Sequence, residues 1–433
     1  MTQARLALER LHNTFWVPPA AGIVLAIALA LALPAVDGWV SLPDAVSFSG
    51  GPDTARAVLQ MIATVAVSVA GISFSVIVVA LVLASQQLSP RVMRSFQRDP
   101  VNKGALAVFL STAAFSLVVL GSIEDSRDEV PELSVTLAMV AAAISLAVFV
   151  LFLHHIVRSL NASSVIRRIA AGGHQAVDAP YPAEAGEPAG DAEEAEATVR
   201  EILGRSARRE VRAPRAGYLV SVKAADLIAL AERCDGFVEQ RVAIGDFVLT
   251  GGIVGLVWAA EPGVDRLAAG ADRAFVLNEE RLVDDDVAFP IRQLADVALK
   301  GLSPGINDPT TAENAMDSVA DTLVRVARQP APIMLRLSPG GTPRLRAVAP
   351  DLDDLVRLGF DQVRRAGASH PSFSARLLEL LGEMRELGGE RAAASGEIGR
   401  QARAIRDEAR ALVRIPEDAD LLTSAYDRVA RRQ

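Results

Sequence analysis

The residues that are best suited to line a polar path lie in a long charge-free stretch, residues 57–90. At about 100° per residue, its small and polar residues fall on one narrow face of a helix. The candidate pore-lining residues are Gln60, Thr64, Ser68, Gly71, Ser75, Val78, Val82 and Gln86. Polar groups on both sides of an apolar interval are typical of a pore helix that carries a hydrophobic gate. The pattern therefore favours a path for water or ions, with the gate at Val78 and Val82.

The same residue types have a second interpretation. Glycine, serine and threonine let membrane helices approach closely, so the face equally predicts a packing seam between helices. No charged residue lies deep in any of the charge-free stretches. Because transporters coupled to ions or protons normally carry ionisable groups inside the membrane, a secondary transporter is disfavoured.

A second candidate is the segment Ser303–Pro309, which is rich in turn residues. Its candidate residues are Pro304, Gly305, Asn307 and Asp308. Asp308 precedes a proline at a helix start, so we expect it to cap that helix. We expect Asn307 to support a tight turn and Gly305 to take a positive φ. The segment is either a rigid structural corner or a binding turn that presents side-chain oxygens.

The remaining candidates for chemistry are weak. His154 and His155 are adjacent, diverge on a helix, and fit interfacial anchors better than a pH sensor. The acidic clusters at residues 284–286 and 351–354 lack the spacing of a metal loop. Cys234 is the only cysteine, and no nucleophile, phosphate-binding or dinucleotide motif is present. We therefore expect no enzyme, no cofactor and no metal site.

Hydropathy predicts the elements that position these residues. The chain has 433 residues, of which 51% are hydrophobic. Charge-free intervals occupy residues 11–36, 57–90, 104–123 and 133–157. Each interval provides the roughly 20 residues that a helix needs to cross a bilayer. The sequence therefore predicts four transmembrane helices within residues 1–160.

The charges of the loops predict the orientation. Arginines cluster in the amino terminus, between the second and third spans, and after the fourth span. The other two loops are acidic. Because arginine-rich short loops stay in the cytoplasm, we expect both termini to be cytoplasmic. The net charge of −8 argues against a nucleic-acid partner.

The chain beyond the spans is long enough for a cytoplasmic region with its own core. Residues 161–207 are expected to be a helix end followed by a flexible linker, since glycine, proline and acidic residues are frequent there. Residues 208–262 contain short strand patterns that resemble the small barrels of biotinyl and lipoyl carrier domains, without their modified lysine. Residues 263–433 are expected to be mainly helical. The expected fold is thus an α-helical integral membrane domain followed by an α+β cytoplasmic region with a small β-barrel-like module and helices.

Three segments together carry a resemblance to a known family. They are FSVIVVALVLASQQLSPRVMRSFQRD at residues 74–99, GYLVSV with the later GDFV, and QLADVALKGLSPGINDPTTAENAMD at residues 293–317. They resemble the bacterial predicted membrane proteins called domain of unknown function 2254. The resemblance implies a multi-pass protein of the bacterial inner membrane, and it implies no established chemistry.

These patterns favour a homo-oligomeric channel or channel-like pore with a cytoplasmic regulatory domain. Four helices do not easily enclose a water-filled path alone, so this interpretation requires several copies. The acidic outer loops would give a preference for cations. The alternative is a non-conducting membrane scaffold or sensor, whose cytoplasmic domain binds a protein or small ligand. The sequence does not identify the ion that would pass or the ligand that would bind.

The predicted topology is testable by cysteine accessibility labelling. We expect cysteines introduced at Ser49 and Ser126 to react with a membrane-impermeant reagent from outside the cell. Cysteines at Ser95 and Ser369 should react only after the membrane is opened. Labelling of Ser49→Cys from the inside would contradict the orientation.

Overall fold

The structure is a computed structural model, and it forms two compact units. They comprise Met1–Val165, here called the membrane unit, and Ile166–Gln433, here called the C-terminal unit. The structure describes residues 15–33, 48–87, 99–123, 130–159, 161–178, 187–188, 190, 192–281, 286–331 and 334–430. Ser85 and Gln86 lie in a described helix, but their side chains lie outside the described part of the chain.

The membrane unit contains long apolar helices. They are α1 (Val17–Ala32), α2 (Pro52–Gln87), α3 (Pro100–Ser122) and α4 (Glu132–Ser159). Three of them, α2, α3 and α4, are long and apolar enough to cross a membrane. The described part of α1 has 16 residues and is shorter than such a span. Three of the four predicted spans are therefore candidate membrane helices by length and composition, and the prediction of four is not confirmed.

Helix α3 is the central helix of this unit, and it contacts α1, α2 and α4. Helix α1 lies against it at Gly22, where an added Cβ would come within 2.6 Å of Ser111 Oγ. The core between α2, α3 and α4 contains Ile77, Leu106, Phe109 and Phe152. Close contact at small residues is the usual way in which membrane helices gain packing energy, because lipid supplies no hydrophobic driving force.

An arginine fixes α2 against one end of α3. Arg56 Nη2 donates a hydrogen bond to the carbonyl oxygen of Ile123, at 3.1 Å. Ile123 is the C-cap of α3, where carbonyl groups have no partner within the helix. A cation at this position also interacts favourably with the helix dipole. We call this end of the unit the Arg56 end, and the opposite end the Asp99 end.

The C-terminal unit begins within α5 (Ala162–Asp178) and contains two sheets. Its first helices and all strands are β1 (Glu187–Pro188), α6 (Ala192–Arg205), β2 (Ala207–Arg212), β3 (Gly217–Val222), α7 (Ala224–Arg233), β4 (Phe237–Gln240), β5 (Phe247–Val248), β6 (Ile253–Ala259), α8 (Gly263–Ala271), β7 (Phe275–Asn278), β8 (Leu335–Leu337) and β9 (Pro343–Arg346). One sheet has the order β1-β8-β9-β4-β6-β2, and the other has the order β5-β3-β7.

The expected small barrel is wrong: the described strands form two open sheets. Strand β3 pairs with β5 and β7, whereas β4 pairs with β6 and, in parallel, with β9. The strands of residues 208–262 are thus divided between the sheets, and β8 and β9 arrive from much later in the chain. A shared core containing Leu219, Leu227, Val257 and Leu267 holds this part together.

The rest of the C-terminal unit is helical, as expected. Its helices are α9 (Ala288–Gly301), α10 (Pro309–Arg328), α11 (Leu352–Gly367), α12 (Pro371–Leu387), α13 (Gly389–Ala393), α14 (Gly396–Leu412) and α15 (Pro416–Ala430). Apolar residues at helical spacing bury one face of each long helix. The fully buried side chains include Ile291, Val319, Phe360 and Leu381.

An ion-pair network joins α11 to α14. Asp361 Oδ1 accepts hydrogen bonds from Arg364 at 3.1 Å, Arg400 at 3.1 Å and Gln401 at 3.2 Å. Glu397, also bonded to Arg400, is buried. Burial alone would raise the pKa of Asp361, but the hydrogen bonds from Arg400, Arg364 and Gln401 lower it to about 2. The ionised carboxylate is therefore part of the helical core.

This network predicts a specific acid sensitivity. The pKa of Asp361 lies below its ordinary value of 3.8. Its stabilising contribution is therefore present above that value and is lost as the pH falls toward about 2. Asp361→Asn should lower stability at neutral pH and remove this part of the acid loss. Hydrogen exchange of α11 and α14 across a pH series measures both effects.

The matched control is Asp420→Asn, at an exposed position of α15. It should leave the exchange of α11 and α14 unchanged at every pH. Equal acid profiles for the Asp361 and Asp420 variants would contradict the stabilising role of the network.

Candidate functional site

The candidate pore-lining residues of α2 lie on one face that is exposed in the single chain. We call the residues Gln60, Thr64, Ser68, Gly71, Ser75, Val78 and Val82 the α2 stripe, and all are exposed. The eighth candidate, Gln86, has a side chain outside the described residues. Buried residues such as Leu59, Ala70 and Ile77 occupy the opposite side of α2. The stripe is therefore not a packing seam between the described helices of the membrane unit, so it is free to face lipid, water or another molecule.

The hydroxyl groups of the stripe bond to their own helix. Thr64 and Ser68 each donate to the carbonyl four residues earlier at 2.8 Å, and Ser75 donates to the carbonyl of Gly71 at 3.0 Å. Each hydroxyl proton is thus satisfied, and the oxygen keeps lone pairs on the helix surface. Serine and threonine are tolerated on a membrane-facing surface for this reason. Their oxygens can accept a hydrogen bond from water.

A polar cluster that the sequence analysis missed lies at the Asp99 end. Asp99 caps α3, because its Oδ1 accepts from the backbone N–H of Val101 at 2.9 Å. His155 Nε2 lies 2.8 Å from the other carboxylate oxygen and 3.2 Å from Ser159 Oγ. A carboxylate oxygen accepts, so the ring N–H at Nε2 is the donor of this contact. His155 therefore links α4 to α3, in addition to lying at a helix end.

Two further polar residues of α3 are buried near this contact. Asn102 is 1% exposed and Lys103 is 5% exposed. The spacing of Asp99, Asn102 and Lys103 places them on one side of the helix. The cap-and-proline pair Asp99–Pro100 was a sequence signal for the start of α3. The partner His155, 56 residues away, had no local signal.

The middle of the membrane unit carries a bond between helices. Thr112 Oγ1 and Ser145 Oγ lie 2.9 Å apart, and both residues are buried. This bond joins α3 to α4, as polar side chains often do in membrane proteins. Beside it, a cavity of about 270 Å³ is lined mainly by apolar and small residues of α3 and α4, including Ala107, Ser111 and Ile144.

The predicted corner between α9 and α10 is built largely as expected. Asp308 is the N-cap of α10 and accepts from the backbone N–H of Thr311 at 3.0 Å. Pro309 occupies the first helical position. Hydrogen bonds from the side chain and the backbone N–H of Thr311 lower the pKa of Asp308. The ionised carboxylate is thus occupied by the helix it caps.

The backbone of the corner differs from the expectation in one respect. The residue with a positive φ is Asn307, at 50°, and Gly305 has no such conformation. The N–H groups of Ile306 and Asn307 both donate to the carbonyl of Ser303, at 3.0 and 2.9 Å. This turn brings the chain back so that the N–H of Asp308 donates to the carbonyl of Gly301 at 2.8 Å. Asparagine tolerates this left-handed conformation better than most residues.

The acidic residues that follow, taken from the described part of the two clusters, have structural partners, whereas Asp284 and Asp285 lie outside the described residues. Asp286 binds Arg281 and accepts from the backbone N–H of Phe289 at the start of α9. Asp351 caps α11, and Asp353 accepts from Ser395. Within the described residues, no group of three or more His, Cys, Asp or Glu side chains could hold a metal ion.

The fold and these sites define a class: an integral membrane protein of apolar helices followed by a large α+β unit that contains sheets. The chain belongs to the predicted membrane protein family of domain of unknown function 2254, whose model matches residues 12–383. Uncharacterised proteins of Mycobacterium tuberculosis and Mycobacterium bovis are each 29% identical over 396 residues. The match covers 88% of this chain and 73% of each relative. No solved structure matches the chain.

The corner generates a prediction about α10. Asp308→Ala should destabilise the start of this helix by about 1 kcal/mol, as the loss of a cap typically does. Because the pKa of Asp308 is lowered, the cap contributes above the ordinary carboxyl pKa and weakens as the pH falls through the lowered value. Hydrogen exchange of the first-turn amides of α10 in the full chain measures the effect.

Thr310→Ala is the matched control, at an exposed position in the same turn. It should change the exchange rates far less than Asp308→Ala. If Asp308→Ala leaves the exchange unchanged but abolishes a response to a ligand or partner, the corner is a binding site instead.

Proposed function

We propose that this membrane protein is a homo-oligomeric channel or channel-like pore, in which the α2 stripe of several copies lines a path for water and ions. The proposal assigns it no enzymatic activity and no cofactor. It places the protein in the bacterial inner membrane with both termini in the cytoplasm. The C-terminal unit is then a cytoplasmic regulatory domain.

The observation that supports this function best is the exposure of the stripe. The stripe lies on an apolar helix and is turned away from the other described helices, so its hydroxyl oxygens, although tolerated by lipid, find no hydrogen-bond donor there. Hydroxyl oxygens on that face gain hydrogen bonds if water is beside them. Association of several copies around an axis would place the stripes together and supply that water. The neighbouring exposed residues, such as Val65 and Ile72, would then contact lipid or the next copy.

The gate of the proposed path is the apolar part of the stripe. Val78 is 42% exposed and Val82 is 49% exposed, one turn apart on the same face. Rings of valines from several copies would exclude water from a narrow path, and this dewetting closes a pore without any charged group. The acidic loops predicted outside the cell would concentrate cations at the entrance.

The length of α2 supports a connection between the path and the C-terminal unit. Its 36 residues extend over about 54 Å, which exceeds the ~30 Å hydrocarbon core. The helix therefore reaches beyond the membrane at one or both ends. At the cytoplasmic end it would carry a signal from the regulatory domain to the gate.

The second candidate is a non-conducting scaffold or sensor. The same exposed glycine and serine residues fit close docking of helices between copies. At Gly71, an added Cβ would meet nothing within 4 Å, so a partner helix has room to approach there. In this case the C-terminal unit would bind a protein or small ligand, and the membrane unit would only anchor it.

The substitution Val78→Ser separates the two candidates. In a channel it should hydrate the gate and raise the leak conductance of the purified protein in planar bilayers. In a scaffold it should alter the stability of the oligomer without any leak. The matched control is Val65→Ser, the same substitution at an exposed residue about 140° around the helix from Val78 and outside the stripe, which should leave conductance unchanged.

Conductance that stays absent in the wild type and in Val78→Ser, under every voltage, tension and ligand condition, would contradict the channel. Equal leaks in the Val78 and Val65 variants would contradict the assignment of the gate to the stripe.

A further inference from the structure

The interior of the membrane unit contains an amide with no partner. Asn102 is 1% exposed, and neither its Oδ1 nor its Nδ2 makes a hydrogen bond within the described part of the chain. The side chain offers two donors and an acceptor, and burying these groups without partners is unfavourable. In a membrane protein, lipid cannot replace the missing partner. An amide without partners loses more on burial than a single hydroxyl does, because it carries two donors and an acceptor, so Asn102 is the described group of this unit that most needs a small polar ligand.

The residues around Asn102 at this end of the unit are also polar. Asp99 lies one turn earlier on the same side of α3 and is 6% exposed. His155 of α4 lies 2.8 Å from the Asp99 carboxylate, and Ser159 Oγ lies 3.2 Å from the same ring nitrogen of His155. Ser159 is 3% exposed, so the polar groups lie inside the unit instead of on its surface. A carboxylate, an imidazole and a hydroxyl thus meet between α3 and α4, and the amide of Asn102 follows one turn later on the same side of α3.

An apolar layer follows directly along the same helices. On α3, Leu106 and Phe109 come one and two turns after Asn102 on its face. On α4, Phe152 lies one turn before His155 and is fully buried. Leu106, Phe109 and Phe152 belong to one packed cluster. Beyond it, polar groups return: Ser116 is fully buried, and its hydroxyl has no partner in the described chain.

We propose that the Asp99 end of the membrane unit is a hydrated vestibule inside each protomer, in which the Asn102 amide binds water and the layer of Leu106, Phe109 and Phe152 closes the interior above it. Water fits this site because it is the smallest molecule that serves the amide as donor and as acceptor. The apolar layer packs with Ile77 and Ala80, on the buried side of α2, opposite to the α2 stripe. The vestibule needs no oligomer, so it goes beyond the proposed function.

The test measures the reactivity of a cysteine at this position. The full-length protein carries Cys234→Ser and Asn102→Cys and is treated in lipid nanodiscs with a cationic, membrane-impermeant methanethiosulfonate. This reagent attacks the thiolate, which forms only where water stabilises the charge. Asn102→Cys should react at least roughly tenfold faster than a thiol in a dry interior. Ala105→Cys is the control, since Ala105 is a buried residue of the same helix in the apolar cluster.

A second position keeps the test decisive if Asn102→Cys does not fold. Ser159→Cys probes the same vestibule from α4 and should also react roughly tenfold faster than Ala105→Cys. Rates equal to that of Ala105→Cys at the positions that fold would overturn the proposal. The reaction is measured without conductance, so a reactive vestibule in a protein that conducts nothing would refute the channel and leave the vestibule standing.

The apolar layer has its own test. Ser116→Cys, beyond the layer, should react as slowly as Ala105→Cys. Adding Phe109→Ala removes a fully buried ring from the layer and should raise the rate at Ser116→Cys toward that at Asn102→Cys. Fast reaction of Ser116→Cys while Phe109 is present would show that the layer does not close the interior.

Discussion

The structure of the membrane unit depends on one constraint: in hydrocarbon, a polar group must find its partner within the protein or in water that the protein encloses. The hydroxyls of the α2 stripe satisfy this constraint by donating to carbonyls of their own helix, and Thr112 satisfies it through its hydrogen bond with Ser145. The Asp99 carboxylate satisfies the constraint because it accepts a backbone N–H at the start of α3 and contacts His155. Among the described buried groups of this unit, those without a partner in the protein are the Asn102 amide and the hydroxyls of Ser73, Ser116 and Ser134.

Buried charged groups of the C-terminal unit also need partners, and arginine side chains provide them. Arginine is abundant and lysine nearly absent in this chain, and arginine suits buried ion pairs because its planar guanidinium binds two groups at once. Arg400 joins Asp361 and Glu397, and the buried Arg344 holds the loop at Asp235. Breaking such pairs leaves an uncompensated charge in the interior, so they fix the relative positions of helices and strands.

The sequence was informative where structure is local. Charge-free intervals predicted the apolar helices, and the Asp308–Pro309 pair predicted a cap. Prediction from the sequence was wrong where two contacting segments are far apart in the chain. Strand β9 pairs with β4 across roughly a hundred residues, and no local pattern in residues 208–262 indicates this pairing. The contact between Asp99 and His155 was hidden for the same reason. At the corner, Gly305 and Asn307 could both accept a positive φ, and only the hydrogen bonds to Ser303 select Asn307.

Helix α3 is held at both ends by polar contacts, to α2 through Arg56 and to α4 through Asp99. Its 23 residues separate these contacts by about 35 Å, close to the thickness of a hydrocarbon core. Sliding α2 or α4 along α3 would break one of them. In a thinner bilayer the three helices therefore tilt together from the bilayer normal. The hydrophobic mismatch changes this tilt angle and leaves the packing between the helices unchanged.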